Sequence, residues 1–545
     1  RNFYDGPLAI REIKRFAFER GEAPTPLPEP PNGIAVAIIG AGAAGLSAAY
    51  YLARMGFEAQ VFESRPHLGG MVGAVIPAYR LDGRAIGNDL QRLEQLGVKI
   101  HRGTAVGRDL SLADLRQNFR YVFLGLGAAR GKRLGIPGED AAGVFDALDF
   151  LDHVQDRAQG SLGRNVLVIG GGNSAMDAAR SAVRLTPDGR VSLVYRRTRA
   201  EMPADPAEVH DCIEEGIGLR DLLAPARVVV ESGKVVGLAC TPMKLGERDA
   251  SGRPRPVPSG DPEVILPADT IIPAISQEPE LGFLAELGLR SRRDGTLEVS
   301  DCGETSLPGF FAGGDVVRGP ASVIHAIADG HRAAQEIGRR HGRTLPPEPE
   351  LDKSQSAAEL MDRKARSAAP LTVPVLPLAQ RGSFDEVLQS FPPESAAAEA
   401  ARCLDCDDLC SLCVTVCPNR ANLAYATPAM ELLVPVLVQR GGALQVETSR
   451  PFRIAQAVQI LNLGDACNDC GNCTPFCPTS GAPYKDKPRL WDDREAFEET
   501  ALDGFRLDRE GDALVLEAKL GGRRLRLTRS PRGATLRTPE LQAEL

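Results

Sequence analysis

An unbroken apolar run, Ile34-Ala35-Val36-Ala37-Ile38-Ile39, leads into glycines and then an alanine-rich stretch with helical spacing. Such a run predicts a strand buried on both faces, and its sequel predicts a tight turn opening a helix. The same order returns about 130 residues later at Asn165-Val166-Leu167-Val168-Ile169. Between the two, residues 92–101 predict a helix ending at Gly97 followed by a strand, and Tyr121 to Leu126 predicts another buried strand. Helical spacing over residues 10–20 predicts a helix ahead of a proline-rich connector, Pro24 to Pro31. A second connector, acidic and proline-rich, spans about 344–352, and residues 368–400 show little periodicity. Near the end, Leu514 to Leu527 reads as a hairpin turning at Gly521-Gly522, with its arginines on a solvated face. Strand, glycine turn and helix, met twice, predict two α/β nucleotide-binding domains.

The first turn is Gly40-Ala41-Gly42-Ala43-Ala44-Gly45. Gly40 permits the tight turn, Gly42 lets the backbone approach a pyrophosphate, and Gly45 lets helix and strand pack closely. Glu63 ends the next strand, Ala59 to Glu63, where a carboxylate accepts both ribose hydroxyls, and Gly69-Gly70 follows. Far downstream, Gly309-Phe310-Phe311-Ala312-Gly313-Gly314-Asp315 predicts a strand ending in an Asp ahead of a helix of small residues. Asp315 is placed to bond the ribitol of a flavin, with the next helix N-terminus aimed at the ring. Both halves together predict bound FAD on Gly40, Gly42, Gly45, Glu63, Gly70, Gly314 and Asp315.

The second turn, Gly170-Gly171-Gly172-Asn173-Ser174-Ala175, carries Ala at the third position, which the fingerprint tolerates. Its following strand, Val191 to Tyr195, ends in Arg196-Arg197 where an acidic residue would repel a 2′-phosphate. Guanidinium groups bind that phosphate, so NADPH is expected in preference to NADH. The residues expected around it are Gly170, Gly172, Asn173, Ser174, Ala175, Arg196 and Arg197.

Further motifs are Ile13-Lys14-Arg15-Phe16, Ile76-Pro77-Ala78-Tyr79-Arg80-Leu81, Met176-Asp177 after the second turn, Met202-Pro203, and Val316-Val317 after Asp315. Over residues 8–340 these resemble the two-dinucleotide-binding-domain flavoproteins, above all the glutamate synthase small subunit and the N-terminal half of dihydropyrimidine dehydrogenase. The resemblance implies a nucleotide domain inserted between the halves of a flavin domain. Ala43 stands where that family often has Pro, and Ser276 where it usually has Gly. The family's Cys-rich domain ahead of the Ile-Lys-Arg-Phe helix is not in this sequence, which begins Arg1-Asn2-Phe3-Tyr4-Asp5 without an initiator Met. The chain is therefore expected to be processed, truncated or continued upstream.

Cysteine usage changes the picture most. Nine of the twelve lie between Cys403 and Cys477, leaving only Cys212, Cys240 and Cys302 elsewhere. One dense patch in a large chain points to intracellular metal binding instead of a disulfide scaffold, and the three scattered thiols fit buried small hydrophobes. Cys467, Cys470, Cys473 and Cys477-Pro478 match C-x2-C-x2-C-x3-C-P in full. In two-cluster ferredoxins the fourth Cys of such a run ligates the other cluster. Cys417, which also precedes a Pro, then joins Cys467, Cys470 and Cys473 around one [4Fe–4S] cluster. Cys410, Cys413 and Cys477 hold the second, with Cys406 as the preferred fourth ligand and Cys403 as the alternative.

Arg402 to Cys406, Cys417 to Asn422 and Gly481 to Leu490 resemble the C-terminal half of a family named for selenate reduction, a likeness covering most of the chain. No selenate- or molybdenum-binding constellation is visible here.

At 545 residues the chain is long enough for three to five domains of about 100–200 residues. A formal net charge of −8 argues against a general nucleic-acid binder. No apolar stretch approaches the roughly 18 residues of a membrane span, and the N-terminus has no signal-peptide architecture, so a cytoplasmic protein is expected. The expected fold is α/β with two Rossmann-like dinucleotide-binding domains, plus a ferredoxin-like α+β domain carrying 2[4Fe–4S]. An N-terminal helix and linker (1–32) precede a split flavin domain (33–155 and 286–343) and its inserted nucleotide domain (156–285). A linker (344–400), the iron–sulfur domain with an insertion (401–492) and a hairpin extension (493–545) complete the chain. The expected activity passes electrons from NADPH through FAD and two clusters to a partner subunit or domain, with no catalytic acid or base nominated. Two rivals stand beside it: a self-contained reductase of a small substrate at the flavin, and a non-catalytic iron–sulfur assembly subunit.

Overall fold

The computed structural model describes residues 5–21, 28–155, 162–249, 252–346, 359, 362–363, 366–404, 410–428, 430–441, 443–454, 458–477 and 481–544. They fall into two compact units: Lys14–Glu350 with Val373–Phe391, and Arg1–Ile13 with Leu351–Thr372 and Pro392–Leu545. Residues Ile10–Arg20 form the expected helix.

In the first unit, the chain lays down β1 (Ala35–Ile39), β2 (Glu58–Glu63), β3 (Lys99–Arg102) and β4 (Tyr121–Leu124) as parallel neighbours in the order β4-β1-β2-β3. It then builds a second parallel sheet from β5 (Asn165–Ile169), β6 (Arg190–Val194), β7 (Gly218–Arg220) and β8 (Thr270–Pro273), ordered β8-β5-β6-β7. Finally β9 (Phe310–Ala312) returns to the first sheet and pairs parallel with β4. Parallel pairing needs covered crossovers. Those that matter here are α1 (Ala43–Arg54) after β1, α2 (Asn173–Leu185) after β5 and α3 (Val323–Arg340) after β9. Val36, Ile38, Leu52, Val61, Phe123 and Phe311 pack as one core and are fully buried.

The Ile76-to-Leu81 motif joins the two sheets' layers. Tyr79 is fully buried beneath the guanidinium groups of Arg180 and Arg184, 4.8 and 4.0 Å from its ring centre. Arg80 pairs with Asp177 of α2 at 2.7 Å. Arg180 and Arg184 are in turn neutralised by Glu215, at 2.6 and 2.8 Å. Every buried charge in this layer therefore has a counter-charge, as low-dielectric surroundings demand.

The second unit carries an eight-stranded sheet. Its first members frame an insertion: β10 (Asn422–Ala426), then β11 (Met430–Arg440) and β12 (Ala443–Ile454) as a separate two-stranded hairpin, then β13 (Val458–Leu463) antiparallel to β10. β14 (Arg489–Trp491) adds on parallel to β13, and the sheet continues through β15 (Gly504–Glu510), β16 (Ala513–Leu520), β17 (Arg523–Ser530), β18 (Gly533–Arg537) and β19 (Gln542–Glu544). The hairpin expected over 514–527 is β16–β17, turning at Gly521-Gly522. It is the centre of an antiparallel meander, because β15 and β18 flank it. Its Arg523 and Arg524 face solvent, while Arg526 pairs with Glu510 and Glu517.

Candidate functional site

The first cleft opens at the C-terminal ends of β1, β2, β4 and β9, where ligands of parallel sheets bind. Gly40, Gly42, Glu63, Gly70, Gly314 and Asp315 all line it. Gly40 has φ +100°, and a side chain there would meet the Gly125 carbonyl oxygen at 2.4 Å. Gly42 differs: a Cβ would find nothing nearer than 3.9 Å and would project into the space above the turn. That opening leaves the backbone at Gly42 accessible to a ligand over the turn. Gly45 does not line the cleft; its Cβ would lie 2.0 Å from the Gly40 carbonyl oxygen, so it sets the contact between α1 and the turn.

Glu63 is buried, and its Oε2 accepts from the Ala41 N–H at 2.8 Å while Oε1 accepts from Arg65 N–H at 2.9 Å. The carboxylate thus holds the glycine turn and lines the cleft. Strand β9 stops at Ala312, and Asp315 opens a short helix (Asp315–Arg318) beyond the Gly313-Gly314 turn. The strand ends early because Gly314 turns at φ +79°, held by an N–H donated to Asp329 at 3.0 Å. Burial raises the Asp315 carboxyl above the usual carboxylate range, although Ala321 N–H donates to it at 3.2 Å. Ser322 caps α3 by accepting from the His325 N–H, and Val323 and Ala326 of that helix face the cleft. Its N-terminus supplies positive potential there.

The second cleft lies over β5 and β6 and is lined by Gly170, Gly172, Asn173, Ser174, Arg196 and Arg197. Ala175 is fully buried behind the turn. Arg196 is exposed at the cleft, whereas Arg197 is buried, donating to Asp249 at 2.7 Å and to the Pro254 carbonyl at 2.8 Å. Arg253 and Lys132 also line this cleft. Sequence reasoning missed both, because neither sits at a fingerprint position. The two clefts have volumes of about 400 and 610 Å³, within the range of small-molecule sites. Pro320 lines the second cleft and its neighbour Ala321 the first, so their walls meet within one Cα step of 3.8 Å.

In the second unit, Cys417, Cys467, Cys470 and Cys473 line one small cavity with Tyr484. Cys413 and Cys473 are buried together against Ile460. Burial, and next the neighbouring Cys410 thiolate, push the Cys413 thiol up to about 11. Cys410 and Cys477 lie outside the cavity lining. Cys403 lies just beyond the helix Pro393–Ala401, where its carbonyl accepts from Arg363 at 2.9 Å. Cys406 is outside the described residues. Among the described residues no three His, Cys, Asp or Glu converge on a single metal ion. A cubane attaches each thiolate to its own iron and so calls for thiolates around a cavity, and Cys417, Cys467, Cys470 and Cys473 share the lining of one. Cys212 and Cys240 are buried thiols, each pushed up to about 12 by burial. No helix among the described residues is long and apolar enough to cross a membrane.

Comparison with known proteins places these clefts in a wider setting. The beta subunit of an NADP(+)-dependent formate dehydrogenase from Moorella thermoacetica is 40% identical over 453 residues, covering 74% of this chain and 62% of that protein. The Escherichia coli K12 oxidoreductase YgfK is 33% identical over 508 residues, covering 92% of this chain and 45% of its own length. The small chain of the E. coli K12 NADPH glutamate synthase is 37% identical over 353 residues, covering 61% of this chain and 75% of that one. The chain thus spans between about half and three quarters of these relatives. Residues 34–330, both clefts included, match the family described as pyridine nucleotide-disulphide oxidoreductase, and the chain belongs to that family.

Proposed function

We propose that this oxidoreductase draws electrons from NADPH into FAD at the first cleft and passes them through two [4Fe–4S] clusters to a partner subunit or domain. The observation that carries the reading is the junction of the clefts at Pro320 and Ala321, which lets a nicotinamide in one reach a flavin in the other. FAD, when bound, supplies hydride acceptance and release of electrons one at a time.

The chain's own residues bind and orient. Gly40 makes the turn, Gly42 leaves room for the pyrophosphate, Gly70 and Gly314 line the cleft around it, and Glu63 and Asp315 face ribose and ribitol hydroxyls. Gly170, Gly172, Asn173 and Ser174 seat the second pyrophosphate, and exposed Arg196 meets the 2′-phosphate. Buried Arg197 holds the loop bearing Asp249 and so shapes the floor of that site. Cys417, Cys467, Cys470 and Cys473 suit one cluster; Cys410, Cys413, Cys477 and either Cys406 or Cys403 suit the other. Relatives named as an NADP(+)-dependent beta subunit and an NADPH-linked small chain support both the cofactor preference and a partner. The reading also puts the protein in the cytoplasm, where thiols stay reduced.

Anaerobic titration of the purified chain with NADPH tests it. Flavin absorbance should bleach first and the cluster absorbance should follow. Flavin that stays oxidised under excess NADPH rules the reading out.

A further inference from the structure

Three buried polar residues stand in one row across the second unit's sheet. Asn422 of β10 is the register partner of Asn462 of β13, and Asn462 is the register partner of Arg489 of β14. None is more than 3% exposed. They form a continuous chain of hydrogen bonds. Arg489 Nε donates to Asn462 Oδ1 at 3.0 Å, Asn462 Nδ2 donates to Asn422 Oδ1 at 2.8 Å, and Asn422 Nδ2 donates to the Cys413 carbonyl at 3.0 Å.

The far end of Arg489 reaches the cysteine cavity. Its Nη2 lies 3.5 Å from Cys467 Sγ, donates to the Tyr484 carbonyl at 2.7 Å, and pairs with the Asp469 carboxylate. Asp469 sits between Cys467 and Cys470 with φ +53°, the left-handed region that Asp enters more readily than most residues. Its carboxylate is tied to Arg489. A buried guanidinium is costly unless its donors are satisfied. Here Nε goes to Asn462, and the two N–H groups of Nη2 are shared among the Asp469 carboxylate, the Tyr484 carbonyl and a cysteine sulfur.

We propose that Arg489 is a positioning residue that raises the reduction potential of the cluster on Cys417, Cys467, Cys470 and Cys473. The assignment rests on the cluster reading of that cavity. A ligating sulfur has no proton, so in the loaded site it accepts from the Arg489 N–H, and the Cys467-to-Asp469 hydrogen bond at 3.4 Å is lost. Reduction adds negative charge at the sulfurs, and a fixed positive donor beside one of them stabilises the reduced form. Asp469 works the other way, because its carboxylate pairs with Arg489 in the same loop and offsets that positive charge.

The test is a potentiometric titration of the cluster-loaded chain followed by electron paramagnetic resonance. Arg489→Gln should move one cluster's midpoint negative by about 59 mV, a tenfold change in its one-electron ratio, and leave the other cluster where it was. Arg489→Lys should fall between that variant and the wild type, and Asp469→Asn should move the same cluster positive. Loaded clusters with unmoved midpoints in Arg489→Gln overturn the assignment. Should Arg489→Gln fail to hold clusters, Asp469→Asn decides alone, and a negative or absent shift there overturns it. A wild-type chain carrying no iron–sulfur signal overturns the cluster reading itself, and this assignment with it.

Discussion

The guanidinium of Arg197 donates to the Asp249 carboxylate at 2.7 Å, while its neighbour Arg196 stays exposed at the same cleft with no hydrogen-bond or ion-pair partner among the described residues. The two arginines therefore do different work. Arg196→Ala should weaken NADPH binding by about 1.5–3 kcal/mol, the worth of a hydrogen bond to a charged group, and leave NADH binding nearly unchanged. Arg197→Ala should weaken both, because it removes the tie to half-buried Asp249 and loosens the loop. Fluorescence titration of each variant with both cofactors checks this. Equal losses of NADPH and NADH in Arg196→Ala would contradict it.

Gly42 and Gly45, three positions apart, should respond oppositely to Ala. Gly45→Ala puts a methyl 2.0 Å from the Gly40 carbonyl oxygen and should cost about 1–3 kcal/mol of stability through forced separation of α1 from the turn. Gly42→Ala meets nothing closer than 3.9 Å, so the apo chain should melt as the wild type does and retain far less FAD. Thermal melts with and without added FAD, and FAD released per chain, separate the two.

Burial pushes the Asp177 carboxyl up to about 6, against the opposing pull of Arg80. Glu208 also raises it and Arg180 lowers it. Since its folded pKa exceeds the unfolded value, its stabilising contribution is complete below about pH 4 and is lost as pH rises through 6. That loss is about 3 kcal/mol, taking two pKa steps at 1.36 kcal/mol each. Relative to wild type, Asp177→Asn should gain in melting temperature of the dinucleotide-binding unit between pH 5 and 7.5. Parallel pH curves for the two proteins would show the carboxyl to be unshifted.

Iron analysis should give about eight irons per chain, and Cys417→Ser about four, by the two-cluster count. Cys403→Ser should keep both clusters and Cys406→Ser should damage one. The reverse outcome exchanges those two ligands, and four irons with bound zinc in the wild type breaks the two-cluster arrangement.

Much of the first unit was legible in the sequence because its signals are local. A buried strand, its glycines and the acidic or basic end of the next strand lie within about 30 residues of one another, the size of one βαβ unit. The recurrence of that pattern predicted both parallel sheets, and β9 was found from Gly313-Gly314-Asp315. What escaped was set by pairing between distant residues. Asp249 lies 52 positions from Arg197, and no spacing rule links them. Asn422, Asn462 and Arg489 become neighbours only through strand register. The Gly481-to-Leu490 likeness pointed at Arg489 without saying what it touches. The β11–β12 hairpin also went unread, since its apolar run Leu432-Leu433-Val434 carries no signal beyond strand propensity.

The pairing of Asn422 with Asn462 has a consequence for how this chain tolerates change. Ala426 and Val458 are register partners at the open end of β10 and β13, so whatever connects them leaves and re-enters at one doorway. Lengthening such a connection costs little, because closure entropy grows only with the logarithm of loop length. The segment from Met430 to Ile454 could thus be trimmed to a short turn, or exchanged for a reporter domain, without asking the cysteine loops to move. Along this stretch the molecule offers a natural grafting port next to its cysteine centre.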